Sequence, residues 1–315
     1  MNRRSRATTG VAVLVTGGAL WAALGVPVTV SAAAPPLCGG RTATVVGTEG
    51  DDVLVGTPGD DVAFLGKGSD RFDALGGNDV VCGGDGNDVV VGGDGNDLLG
   101  GGDGDDWIDA GDGDDKVNLL GGRDSALGGD GADTITVQAP VADVHAGAGS
   151  DIVFATWLTT PLSLNSGADT VVFHNTSGEL RGGKGEDVFL AASPDPALGG
   201  GPSLNRATTS LMRGGSGDDT FTLVSQAAPV RLDAALGVAT WQDNVARLAG
   251  IQAYVGGVGN DILLGSGRPE TIRGKSGDDV IRGRADDDRL RGGAGTDVVY
   301  GGAGRDDCTG EVRHC

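Results

Sequence analysis

The stretch GGDGNDVVVGGDGNDLLGGGDGDDWID, residues 83–109, repeats a nine-residue unit three times. Each unit opens with a glycine-rich hexapeptide that ends in aspartate and closes with three strand-forming residues. Glycine reaches positive φ without steric cost, so the hexapeptide reads as a turn. The three residues that follow form a short strand with the middle side chain inward. Two units then make a coil of eighteen residues: turn, strand, turn, strand. No coil can bury its apolar face alone, so successive coils must stack as parallel sheets.

The period extends well beyond these three copies. Aspartate recurs at every ninth position as Asp52, Asp61, Asp70, Asp79, Asp88, Asp97, Asp106, Asp115, Asp124 and Asp133. A glycine stands two residues before each, from Gly50 to Gly131, and a mostly apolar residue two after, from Leu54 to Ile135. Stacking puts Asp52, Asp70, Asp88, Asp106 and Asp124 along one edge and Asp61, Asp79, Asp97, Asp115 and Asp133 along the other. Carboxylates spaced like adjacent strands, roughly 5 Å apart, repel one another unless a cation bridges them. Carboxylate and carbonyl oxygens select hard cations such as calcium.

The units GGDGNDVVV (83–91), GGDGNDLLG (92–100) and GGDGDDWID (101–109) resemble the RTX (hemolysin-type) nonapeptide G-G-x-G-x-D-x-U-x, in which U is a large apolar residue. The resemblance implies an all-β fold, a parallel β-roll or β-solenoid with two repeats per coil. It also implies calcium ions held between stacked turns by aspartate side chains and turn carbonyls. Beside the aspartate columns, the implied ligands include Gly83, Gly92 and Gly101 and the third-position aspartates Asp85, Asp94, Asp103, Asp112 and Asp130.

This reading divides the chain. Residues 1–34 are expected to be a signal peptide: Arg3, Arg4 and Arg6 precede a mostly apolar run from Val11 to Val30, and Ser31-Ala32-Ala33-Ala34 offers cleavage after Ala33 or Ala34. Arg3-Arg4 leaves Sec and twin-arginine export both open. Residues 35–46 form an N-terminal cap segment and 47–136 a first repeat block. In 137–200 only one acidic column continues, as Asp151, Asp169 and Asp187, while its counterpart positions hold Ala142, Thr160 and Gly178. This region is expected to be a degenerate solenoid with one calcium edge. Residues 201–255 hold a loop, a single repeat at 214–222 with Asp219, and a strand segment without calcium motifs. Phase returns in a second block, 256–307, with Asp261, Asp279, Asp288, Asp297 and Asp306. Here Arg268 and Asp286 replace glycines and Glu270 replaces an aspartate, which puts calcium binding at those turns in question. A tail covers 308–315. Arg268, Arg273, Arg282, Arg284, Arg289 and Arg291 cluster in this block and are read as relief of acidic repulsion in preference to a binding patch.

Composition narrows the function. The 315 residues include 61 glycines, aromatics make up only 4%, and the formal net charge is −21, or −24 once the three signal arginines are removed. A conventional core and a basic nucleic-acid groove are both excluded. The four cysteines all follow the signal, and the pairs Cys38–Cys82 and Cys308–Cys315 are expected for an exported chain. His145, His174 and His314 fall in no metal spacing, and no GxSxG elbow occurs. Trp107 and Trp157 are expected beside strand centres, and the pairs Thr134/Thr136 and Thr220/Thr222 do not form a regular array. We expect a secreted or cell-surface, non-enzymatic calcium-binding repeat protein that folds on calcium, has a structural or interaction role, and meets a cell-surface, glycan or protein partner. The alternative is a calcium-stabilised accessory module of a secreted hydrolase system. A pore-forming toxin would need an apolar region that the chain lacks.

Overall fold

The computed structural model describes residues 35–138, 143–158, 160–176, 178–192, 209–224, 229–241 and 244–315. The expected signal peptide, position 142, most of the loop between Pro194 and Thr209, and the side chain of Trp157 lie outside the described residues.

Short strands stack into two long sheets of 16 and 14 strands, joined at both edges by turns. The register is eighteen residues wherever the repeat is regular. Trp107–Asp112 pairs in parallel with Val89–Asp94 on one side and Ser125–Asp130 on the other, placing Ile108 beside Val90 and Ala126. The same step carries through residues 143–192, where Val144 pairs with Leu162 and Val171 with Phe189. It then widens to thirty-two, with Val188 beside Thr220, so the long loop leaves the stack without breaking it.

The core lies between the sheets. Leu54, Phe72, Val90 and Ile108 form one inward file, and Ala63, Val81, Leu99 and Val117 the other, all buried. A third inward set is less evident in the sequence. Where an apolar residue replaces the first glycine of a unit, as at Leu65, Leu119, Val137, Leu164 and Phe173, it is also buried in this core.

The segment 229–249 departs from the repeat. Val230–Asp233 pairs antiparallel with Val238–Trp241, which pairs antiparallel with Asn244–Ala249. Asn244–Ala249 rejoins the stack against Thr209–Ser216, and Val230–Asp233 runs parallel to Ile262–Leu264. This reversal gives one sheet two more strands than the other. Trp241 fills the thickened core, with its ring 6.2 Å from that of Phe221.

At the N-terminus, the hairpin Leu37–Cys38 and Arg41–Thr42 is tied by the Cys38–Cys82 disulfide to the outward side of the strand Val80–Asp85. Cys308 and Cys315 form the second disulfide, beside the last strands of the two sheets. The two Thr-x-Thr pairs are separated in the 14-stranded sheet by strands bearing Ile152/Phe154, Thr170/Val172 and Val188/Leu190 at the same outward positions. Trp107 projects outward, 37% exposed.

Close stacking of turns makes some glycines obligatory. At Gly86, φ is +131° and a Cβ would stand 1.7 Å from the carbonyl oxygen of Gly68 in the preceding coil. Gly50 has open space around it. Gly86→Ala should therefore cost about 1–3 kcal/mol or more in the calcium-loaded protein, while Gly50→Ala stays within about 0.5 kcal/mol of the parent. Thermal unfolding of the two variants checks this.

Candidate metal sites in the stacked turns

Each regular turn ends in an aspartate whose side chain points between the sheets and is almost fully buried; Asp88, Asp97, Asp106 and Asp115 are all at most 3% exposed. One carboxylate oxygen is anchored by the coil before. The amide of Asp70 donates to Asp88 Oδ1 at 2.8 Å, that of Asp88 to Asp106 Oδ1 at 2.8 Å, and that of Asp97 to Asp115 Oδ1 at 2.7 Å. The ladder on the second edge continues through Asp133, Asp151 and Asp169 and crosses the long loop, where the amide of Asp187 donates to Asp219 Oδ1 at 3.0 Å.

The second oxygen is different. In fourteen of these aspartates Oδ2 is buried and has no hydrogen-bond partner among the described residues: Asp70, Asp79, Asp88, Asp97, Asp106, Asp115, Asp133, Asp151, Asp169, Asp187, Asp219, Asp279, Asp288 and Asp297. An uncompensated buried carboxylate oxygen is costly, and a repeated one marks an unfilled role. Turn carbonyls converge on the same point. A Cβ built on buried Gly83 would lie 2.4 Å from Asp88 Oδ2 and 2.1 Å from the Gly101 carbonyl oxygen; one on Gly92 would lie 2.4 Å from both Asp97 Oδ2 and the Ala110 carbonyl. Glycine at the first position keeps this cradle open. The same convergence brings Asp187 Oδ2 to Gly214 O around Gly182.

Among the described residues, no group of three or more acidic, histidine or cysteine side chains could hold a metal ion. A cation between two turns would take most of its oxygens from the backbone, as a flexible six- to eight-oxygen shell for calcium allows. The donor set, all oxygen with one carboxylate per turn, fits calcium and not a thiolate- or imidazole-loving metal. Asp85, Asp94, Asp103, Asp112 and Asp130 sit at the exposed rim of the turns, and Asp94, Asp112 and Asp130 stand in direct register on adjacent strands.

The first turns of each block are built otherwise. Asp52 Oδ2 accepts the amide of Thr48 at 2.6 Å and its hydroxyl at 2.9 Å, and Asp61 Oδ2 accepts the amide of Thr57 at 2.6 Å. At the start of the second block Asp261 Oδ2 accepts the amide of Gly257 and Oδ1 that of Val230, while Glu270 caps the Ser266 amide. These carboxylates close their own turns.

Two members of the ladder escaped the sequence reading. Gln252 Oε1 accepts the Asp219 amide at 2.9 Å, and Glu311 Oε2 accepts the Asp297 amide at 2.9 Å. They stand 33 and 14 residues from the aspartates they follow, so no fixed period reaches them; a search for an acceptor side chain directly before each strand would have done so. The histidines stay outside the turns: His145 pairs with Asp143 at 3.2 Å and His314 stacks on Tyr300, while His174 lies on the strand Thr170–Thr176.

The arrangement defines a class of protein: a repeat solenoid whose stacked turns offer buried oxygen sites to hard cations. A family model of the RTX calcium-binding nonapeptide repeat (4 copies) matches residues 46–81, 83–117, 111–137, 264–299 and 273–308. The chain carries calcium-binding RTX nonapeptide repeats over these stretches, stacked as a parallel β-solenoid. Among solved structures, a hyperactive, Ca2+-dependent, β-helical antifreeze protein from an Antarctic bacterium is similar at 19% identity over 82% of this chain and 80% of that chain, with a TM-score of 0.44. No curated protein matches the chain.

Without a cation, burial is the main force holding these carboxyls toward the protonated form, aided by neighbouring acids and opposed by the anchoring amide. Asp106, Asp115 and Asp169 are raised to about 7 and Asp97, Asp151, Asp187 and Asp279 to about 6. In the unfolded chain an aspartate titrates near 3.9. The folded state therefore binds more protons between these values, and the metal-free solenoid gains stability as pH falls from about 7 toward 4 and loses it as pH rises. Circular dichroism in chelator should show more β-structure at pH 5 than at pH 8. Saturating calcium should remove the difference by supplying the missing charge at pH 8.

Site-by-site stoichiometry separates the open turns from the self-closed ones. Asp115→Asn should lower the number of calcium ions bound per chain in equilibrium dialysis, whereas Asp61→Asn should leave that number unchanged.

Proposed function

We propose that this is a secreted, non-enzymatic protein whose solenoid folds when calcium enters its turns, and that the folded rod serves a structural or interaction role at the cell surface or in the medium. The observation that carries this reading is the set of fourteen buried, unpaired aspartate oxygens in a chain of net charge −21. Metal-free, those oxygens make the compact state expensive through desolvation and mutual repulsion. Each calcium ion removes both penalties, so binding and folding become one equilibrium. Extracellular calcium modules work at roughly 10⁻⁴–10⁻³ M, a range that leaves the chain unfolded before export and folds it outside.

The residues assigned to the ions are the aspartates of the two columns with open oxygens, together with turn carbonyls such as Gly83, Gly92 and Gly101. The rim aspartates Asp85, Asp94, Asp103, Asp112 and Asp130 add to the outer shell. Residues 1–34 act as the export signal, the two blocks are the calcium-loading units, and 137–192 loads along one edge only. No helix among the described residues is long and apolar enough to cross a membrane.

The test is far-UV circular dichroism of residues 35–315 titrated with calcium and, separately, magnesium. Calcium should drive a coil-to-β transition that a chelator reverses, and magnesium should do so weakly or not at all. A chain already fully β-structured in chelator at pH 8 would defeat coupled folding.

A further inference from the structure

The two repeat blocks carry very different charge. Residues 47–136 hold 22 acidic and 4 basic side chains, a net of −18, whereas residues 256–307 hold 10 acidic and 8 basic, a net of −2. Seven of the open aspartate oxygens lie in the first block and three, on Asp279, Asp288 and Asp297, in the second. One divalent ion at each takes the first block from −18 to −4 and the second from −2 to +4. Calcium thus gives the second block a net positive charge, takes residues 137–255 with their four open oxygens from −5 to +3, and leaves only the first block acidic.

The structure shows where that charge sits. Thr271–Ser276 and Arg289–Ala294 are adjacent parallel strands of the 14-stranded sheet, with Thr271 in register with Arg289 and Arg273 with Arg291. Arg273, Arg289 and Arg291 thereby share one outward patch two strands wide. Arg291 is paired with Asp307 at 2.6 Å, and Arg289 stands in register beside that same carboxylate and helps to hold it ionised; exposed Arg273 lies between Val255 and Arg291 and has no ion-pair partner among the described residues. Arg284 is engaged elsewhere, by Asp233 at 2.9 Å through both guanidinium nitrogens. Relief of acidic repulsion accounts for the paired arginines. It does not account for like charges placed on neighbouring strands about 5 Å apart, which repel.

We propose that this outer face, centred on Arg273 and Arg289, is a calcium-gated binding surface for an acidic polysaccharide. Guanidinium groups fork onto carboxylate and sulfate oxygens in bidentate pairs, and a linear polyanion supplies such groups at intervals along its length. A second copy of this chain fits less well, because the ions that make the second block cationic also strip most of the acidity from the first. A single-stranded nucleic acid fits less well, because the neighbouring outward positions, Ala253, Val255, Thr271, Asp307 and Thr309, offer no aromatic ring for its bases to stack on. The inference rests on the calcium reading above.

The experiment uses residues 35–315 on immobilised heparin at low salt, with neutral dextran resin and an immobilised single-stranded oligonucleotide in parallel. In calcium the protein should bind heparin, elute with salt, and ignore dextran; in chelator it should not bind. Arg273→Ser/Arg289→Ser should weaken binding about tenfold or more, while Arg71→Ser/Lys116→Ser in the first block should not. Circular dichroism on the same samples separates the two layers of argument. A protein that folds in calcium yet does not bind heparin, or whose binding ignores the Arg273/Arg289 change, overturns this proposal and leaves the calcium reading standing. Equal or stronger binding to the oligonucleotide overturns the polysaccharide assignment. A protein that does not fold in calcium overturns the reading beneath it.

Discussion

Everything in this molecule depends on one carboxylate held half-satisfied. The aspartate that closes each turn is fixed by a hydrogen bond from the coil before it, so its position is set by stacking and not by its own turn. That bond uses one oxygen. The other is buried with nothing to accept from, at the point where glycine leaves room and a carbonyl from the next coil arrives. Repeating this geometry along two edges makes an array in which the backbone order needed to form the sites and the charge needed to keep that order are the same requirement. A solenoid with few aromatics can use small core files of valine, leucine and alanine because the sheets are held together at the turns as well as across the core.

The exceptions explain how such an array begins and stops. A turn at the start of a stack has no coil before it, so an open oxygen there would face solvent on one side. Asp52 and Asp61 avoid this by accepting from Thr48 and Thr57, a local closure of the kind that short polar side chains favour in turns. Asp261 and Glu270 do the same beyond the antiparallel insert. The insert therefore lies between two runs of open turns in one continuous stack, and the second run begins with a closed turn of its own. Gln252 fits the same logic: a neutral acceptor holds the ladder together at a level where no ion is required.

The regular blocks were legible because strand register equals sequence period. Asp88, Asp106 and Asp124 are eighteen apart in the chain and one coil apart in space, so counting along the sequence is counting along the rod. Legibility ended wherever those distances parted. The step from Asp187 to Asp219 passes through a long loop, and the step from Asp297 to Glu311 is shortened by the disulfide-tied tail, so neither neighbour follows from counting. The self-closed turns were hidden for another reason: whether Asp61 or Asp79 keeps a free oxygen depends on a threonine amide four residues earlier, which no column of aspartates displays.

Charge is the property that the fold distributes most unevenly, and the metal determines what that distribution means. In the metal-free chain the arginines of the second block are counterions that lower the repulsion of their own turns, so a reading limited to the sequence sees only compensation. Calcium takes over that task from inside the turns, where its contact with the carboxylate oxygens is unscreened by water. Once it does, arginines on the outer strands are no longer matched by the acids beneath them. Arg291 and Arg289 share the one carboxylate of Asp307, and Arg273 has no ion-pair partner among the described residues. The ions that let the rod fold would thereby also set the charge that its outer strands present.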